Sequence, residues 1–415
     1  MRGLIAWAMP IISATRIASL LVLTTLGASV MAREDSPART VRFVGPVERV
    51  IAASLPNLSS SLARLEAIDP TQPLGDGSTA QTLSLFGRED LIAASSKDYQ
   101  SKACAPVAAA TDVLTEIERR ARTTSIVIIT ESHERTDHRG FSAAVATRLR
   151  PLGYDTLALE TLSASMPGTP TRYLPAFVRQ PALPFFEDGD GHYLSEAGYG
   201  RLGRRAKALG YHLLAYEFID EHQAADATMD QRIATREEGQ ARNLAAYVHD
   251  HPGAKLLVHV GYSHAAEVPR ADDTRWMAAR LKATTGVDPL TISQTTCRGG
   301  GGEVRLAALP NDEPPGTFDL VVDHPTARFV RGRPLWRQRA GDLPVIIPRG
   351  LYPASGWRVV EARPVGEPAA SVPLDRIAIR AGDDVALMLP AGRYRLRVID
   401  LGPARGSETP GKQAL

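Results

Sequence analysis

The chain has 415 residues, 48 Lys and Arg against 46 Asp and Glu, and a formal net charge of +2. That length is ample for one large core or for a core plus a small module. Near-neutral charge without a basic block argues against nucleic acid as a partner, and the ordinary composition argues against general disorder.

The N-terminus reads as a leader. Arg2 and Arg16 precede an apolar stretch, Ile17 to Leu26, followed by Val30-Met31-Ala32, a sequence suited to cleavage after Ala32. The apolar run is short for a bilayer crossing, and no later segment is apolar enough for one. Export to the periplasm or the medium is therefore expected, with no stable span after cleavage. The two cysteines, Cys104 and Cys297, permit one disulfide in an oxidising compartment or stand as two buried thiols.

Residues 33–110 are weakly patterned and read as an N-terminal extension with one or two helices packed on the main domain. Thr111 to Arg122 is helical in pattern. Four strand-and-helix units follow. Ser125 to Thr130 is a β-branched strand and Arg139 to Arg150 its helix; Thr156 to Glu160 is the second strand. A helix over Ser195 to Leu209 leads into a third strand, Tyr211 to Glu217. A long helix, Asp230 to Val248, leads into a fourth, Lys255 to Val260. Gly153, Gly210 and Gly253 mark the helix-to-strand junctions. This alternation predicts an α/β fold, a mainly parallel sheet with helices on both faces. Between the second strand and its helix, the proline-rich stretch Ser163 to Tyr193 reads either as a lid carrying Phe185, Phe186, His192 and Tyr193 or as a surface excursion. After Gly299 to Gly302, short β-like runs separated by Pro and Gly predict a small C-terminal β-rich module, of which Val304–Leu306 and Leu320–Val322 could instead complete the main sheet. The expected organisation is a leader over 1–32, an extension over 33–110, an α/β domain over 111–298, a β-rich region over 299–402 and a tail over 403–415.

Each of the four strands ends in a chemically loaded residue. The first delivers Glu131 and His133, with His138 close behind; the second ends in Glu160, the third in Glu217, and the fourth runs into Gly261-Tyr262-Ser263-His264. Ligands of open α/β sheets bind beyond the carboxyl ends of the strands. Carboxylates buried there need partners, so mutual pairing or a metal is implied. On the long helix Arg236 and Asn243 are seven apart, roughly 20° short of two turns, and share a face with Gln240. Both are expected to face the site.

Thr130-Glu131-Ser132-His133-Glu134-Arg135-Thr136-Asp137-His138 resembles the opening motif of the erythromycin esterase and ChaN-like proteins, which overlap the wider Tiki/TraB group. Arg236-Glu237-Glu238-Gly239-Gln240-Ala241-Arg242-Asn243 resembles their Arg-Asp…Ala-x-Asn helix, and Val260-Gly261-Tyr262-Ser263-His264 their late Gly-x-x-His element. The likeness spans about 120 to 295, with one departure: the family usually has Gly where this chain has Thr130. The resemblance implies divided activities, namely metal-free macrolactone hydrolysis, metal-dependent proteolysis or haem binding at the cell envelope.

Three readings follow. The first is an exported hydrolase of an ester or amide in a small molecule or peptide. His133 acts on water as general base, oriented by Glu131 or Glu160; His264 is a second imidazole; Glu217, Arg236, Asn243, His138 and Tyr262 contact substrate. A metal version makes His133, Glu160 and His264 ligands of a divalent ion. The second reading is a haem or iron-ligand binder, with Tyr262, His192, Tyr193 and His138 as candidate ligands. The third is a non-catalytic envelope protein. No Gly-x-Ser-x-Gly elbow supports a serine nucleophile.

Overall fold

Ile126 and Ile128 point to one face of a central sheet and Val127 and Ile129 to the other, each set within its own hydrophobic cluster. A strand apolar on both sides must be covered on both sides. In the computed structural model, which describes residues 40–69, 77–107, 112–218, 226–269 and 274–401, this strand is β1 (Ile126–Glu131) of a seven-stranded sheet. The others are β2 (Thr156–Leu159), β3 (His212–Ala215), β4 (Leu256–Gly261), β5 (Leu290–Ser293), β6 (Arg305–Ala307) and β7 (Leu320–Asp323). The spatial order is β3-β2-β4-β1-β5-β7-β6, parallel throughout except for β6 against β7. The expected leader and tail lie outside the described residues.

One face of the sheet carries helices α1 (Val113–Ala121), α2 (Thr136–Leu149) and α3 (Ala197–Ala208). Their Ile117, Val145, Leu149, Leu202 and Ala206 join Val127, Leu157 and Leu257. The other face carries α4 (Met229–Asp250) and α5 (Met277–Thr285), whose Ala241, Leu244, Met277 and Leu281 meet Ile128, Leu256 and Val258. The starts of α1, α3 and α4 are capped by their own N-cap side chains. Thr228 and Gln231 form a reciprocal capping box on α4, and Glu196 accepts from Gly198 and Tyr199 N–H at α3. Gly153 and Gly210 take left-handed φ values of +89° and +76° at the junctions into β2 and β3. The architecture is α/β with a mostly parallel sheet and helices on both faces, and the C-terminal part is β-rich, as read from the sequence.

In that C-terminal part, β8 (Arg358–Pro364) pairs antiparallel with both β9 (Asp375–Ile379) and β11 (Gly392–Asp400). β10 (Ala386–Leu389) pairs with Leu343–Ile346. The first two β-like runs beyond residue 300 complete the main sheet as β6 and β7. The N-terminal segment packs on the main domain, where Glu89 accepts from the Thr136 N–H and hydroxyl at the start of α2, and also on the C-terminal sheet. Val41–Phe43 and Glu48–Ile51 add to β11 as parallel strands, and the helices after them bury Leu58, Leu62, Leu83 and Phe86 against Trp357, Val359, Ala378 and Ile399. Cys104 and Cys297 form the disulfide, Cα to Cα 5.7 Å, and tie the 101–107 segment to the chain just after β5. Among the described residues no helix is long and apolar enough to cross a membrane.

Candidate functional site

Four adjacent strands, β3, β2, β4 and β1, present their carboxyl ends side by side, so residues far apart in sequence meet along one rim. Glu131 closes β1 directly opposite Gly261 of β4. Glu160 follows β2, its N–H bonded to the His259 carbonyl, and Glu217 follows β3.

Glu131 is fully buried. Its Oε1 lies 2.6 Å from His133 Nδ1 and accepts from the Tyr199 hydroxyl at 2.8 Å, while Oε2 faces Arg139 Nη2 at 3.0 Å. Burial pushes the Glu131 carboxyl up, but Arg139 and His133 outweigh it and hold it far below the usual carboxylate range. Burial pulls His133 down, and the Glu131 carboxylate more than restores it, to a value above that of an ordinary histidine. The His133 side chain keeps 23% exposure, and among the described residues nothing bonds its Nε2. The ring sits between Tyr193, 4.5 Å away, and the edge of Tyr262, 5.2 Å away.

Glu160 stands at the centre. Oε2 accepts from Gly261 N–H at 2.7 Å and the Tyr193 hydroxyl at 3.1 Å; Oε1 accepts from Arg236 Nη2. Burial would raise its pKa, yet His264, Arg236 and His133 hold it at about 2. Gly261 is required by space. A Cβ there would lie 2.8 Å from His133 Cε1 and 3.1 Å from Glu160 Oε2.

Arg236 also bonds both oxygens of Glu217, which Gln240 supports from the next helical turn. Its Nη1 lies 3.2 Å from His264 Nε2. On the other side of the ring, His264 Nδ1 lies 2.5 Å from Glu237 Oε1. The rim therefore holds two histidine–carboxylate pairs, Glu131–His133 and Glu237–His264, on either side of Glu160.

Glu131, His133, Glu160, Glu217, Arg236, Tyr262 and His264 are thus brought together, and two expected contacts are not. Asn243 donates to the carbonyls of Tyr216 and Glu217, at 3.1 and 3.4 Å, and holds the end of β3 instead of facing the cleft. His138 is 1% exposed, its Nδ1 accepts the Ser132 N–H at 3.0 Å, and its ring lies against His324 beneath the loop. Burial drives its pKa well down, so it is a neutral support for the His133 loop. The metal set of His133, Glu160 and His264 does not fit either. The Arg236 guanidinium occupies the space between Glu160, Glu217 and His264, and among the described residues no group of three His, Cys, Asp or Glu is placed to hold an ion. Of the candidate haem ligands, the Tyr262 hydroxyl is bound to Asp98, the Tyr193 hydroxyl to Glu160 and His138 is buried, while His192 stands exposed at the surface.

The stretch after β2 splits between the two expectations. Phe185 and Phe186 are buried, Phe186 in the main core, and Tyr193 covers the site. Sequence reading missed Glu237, Arg139, Tyr199, Asp98 and His259, the last buried between strands and pushed down to about 4 by that burial. Glu237 follows Arg236 directly in the chain and carried the plainest unread signal.

No family model and no curated protein matches the chain. Among solved structures it is similar to the type III effector HopBA1, at 17% identity over 54% of this chain and 98% of that one, TM-score 0.34. It is also similar to RRSP, a MARTX toxin effector domain from Vibrio vulnificus CMCP6, at 16% over 58% of this chain and 45% of that one, TM-score 0.35. ChaN of Campylobacter jejuni, whose structure shows cofacial heme binding, matches at 10% over 51% and 91%, TM-score 0.33. At these scores the likeness says nothing of activity.

Proposed function

We propose that this protein is a hydrolase of an ester or amide bond that activates water with the Glu131–His133 pair. The observation that carries the reading is the 2.6 Å contact between a fully buried carboxylate and Nδ1 of an imidazole whose Nε2 is left open. The buried carboxylate fixes the tautomer and stabilises the imidazolium that forms, the arrangement general-base catalysis needs.

In the proposed reaction a water gives its proton to His133 Nε2 as its oxygen bonds to the substrate carbonyl carbon. Arg236 has five N–H groups. Those engaged by Glu160, Glu217 and His264 leave one on Nη1, available to the developing oxyanion. The tetrahedral intermediate then expels its oxygen or nitrogen leaving group, which takes the proton back from His133. Glu160 accepts bonds at both oxygens, so it orients Arg236 and Gly261 and leaves the base role to His133. His264, set between Glu237 and the Arg236 guanidinium, also positions the guanidinium.

The Cys104–Cys297 bridge supports a further part of the proposal, that the chain works exported, in an oxidising compartment. The test is turnover of a panel of aryl and alkyl esters, lactones and short peptides by the full chain and by His133→Ala. Hydrolysis by the first and loss in the second is expected; equal rates in both would remove the reading.

A further inference from the structure

The buried face of β8, β9 and β11 carries charge where a sheet face normally carries only apolar side chains. Glu361 lies directly opposite Arg376 on β9 and Arg397 on β11. Arg363 and Asp188 complete the cluster, and each of the five is under 9% exposed. Asp188 comes from the long stretch after β2, so the cluster joins the C-terminal sheet to the chain that covers the site.

Arg376 makes the decisive contacts. Its Nε donates to Glu361 at 2.7 Å, its Nη2 to Asp188 at 3.0 Å and its Nη1 to the backbone carbonyl of Ser195. Ser195 lies between two residues of the site. Tyr193, two before it, bonds Glu160 and covers His133. Glu196, next after it, caps α3, which holds Tyr199 on Glu131, and its carboxylate lies 3.5 Å from Arg139. Buried ion clusters are poor sources of stability, since apolar packing of the same volume costs less desolvation. What a guanidinium offers here is direction, three fixed bonds in one plane to three different segments.

We infer that Arg376 is a positioning residue for the site, and that the C-terminal sheet sets the pose of Tyr193 over His133 through it. The inference deepens the hydrolase reading, but its test needs no substrate. In the full-length protein, the His133 Cε1–H signal, identified by its loss in His133→Gln, reports the ring current of Tyr193. Tyr193→Leu fixes the direction of the uncovered signal. Arg376→Gln is expected to move the signal in that direction and Arg376→Lys to move it less. Arg204→Gln, which breaks the Arg204–Glu367 pair at the same junction, is expected to leave it in place. A folded Arg376→Gln with the wild-type signal overturns the inference, as does an equal displacement in Arg204→Gln. If Arg376→Gln does not fold, Asp188→Asn carries the same two outcomes. A displaced signal in a protein that hydrolyses nothing would sink the hydrolase reading and leave this one standing.

Discussion

Glu160 accepts the N–H of Gly261 at 2.7 Å, across 101 residues of chain, and that bond ties the end of β2 to the end of β4 in the site. The His133 ring lies on the same spot, so the glycine has no room for a side chain. Gly261 has an ordinary φ of −73°, which makes crowding the whole effect of a substitution. Gly261→Ala is expected to displace His133 or Glu160, to cost about 1–3 kcal/mol in stability and to reduce turnover. Denaturation midpoints and rates measured side by side check both; a variant with wild-type stability would mean that the contact is loose.

Arg236 and Asn243 share a helix face and are expected to behave differently on mutation. Arg236→Lys keeps the charge but cannot hold Glu160, Glu217 and His264 together, so turnover should fall about 10²-fold or more with the fold retained. Asn243→Ala removes a bond to the end of β3 and should cost about 1 kcal/mol while turnover stays within a few-fold. Urea melts and kinetics on the two variants separate these outcomes.

That contrast shows what the sequence could and could not say. The run from β1 to β4 was legible because β-branched strands alternate with amphipathic helices, and the strand ends gave Glu131, Glu160 and Glu217. Asn243 was misplaced because periodicity fixes a face and not a height: seven residues climb about 10 Å along a helix, past the cleft to the β3 backbone. His138 follows His133 by five residues, but the first turn of α2 rotates it beneath the loop. β5, Leu290–Ser293, breaks its apolar Leu290 and Ile292 with Thr291 and Ser293 and so shows no continuous apolar run, and Val41–Phe43 pairs with residues about 350 positions later, beyond any local signal. Thr130, where the resembled family has Gly, accepts Gln294 N–H at Oγ1 and Gln294 Nε2 at its carbonyl, a tie between β1 and the end of β5.

The disulfide gives a prediction independent of the site. Replacing Cys104 and Cys297 by Ser is expected to lower unfolding free energy by about 2–4 kcal/mol, chiefly by freeing the unfolded chain. Chemical denaturation of oxidised, reduced and double-Ser protein reads this directly. Equal midpoints would mean that the bridge contributes nothing.

Acid stability should carry the mark of Glu160. Its carboxyl titrates at about 2 in the fold against an ordinary 4.5. A depressed folded pKa contributes stability that is present above 4.5 and lost as pH falls toward 2. Glu160→Gln, whatever its effect at neutral pH, should therefore show a shallower fall in melting temperature between pH 4.5 and 2 than the wild type. Parallel curves for the two proteins would contradict the assignment.

Titration of the His133 ring by nitrogen NMR tests the water-activating pair most directly. The expected midpoint in the wild type lies above the ordinary 6.5, because Glu131 outweighs burial. In Glu131→Gln burial and the Arg139 charge are opposed by Glu160 without Glu131, and the midpoint should fall below that of the wild type. A wild-type midpoint at or below 6.5, or one that Glu131→Gln leaves unmoved, would contradict the pairing on which the proposed chemistry depends.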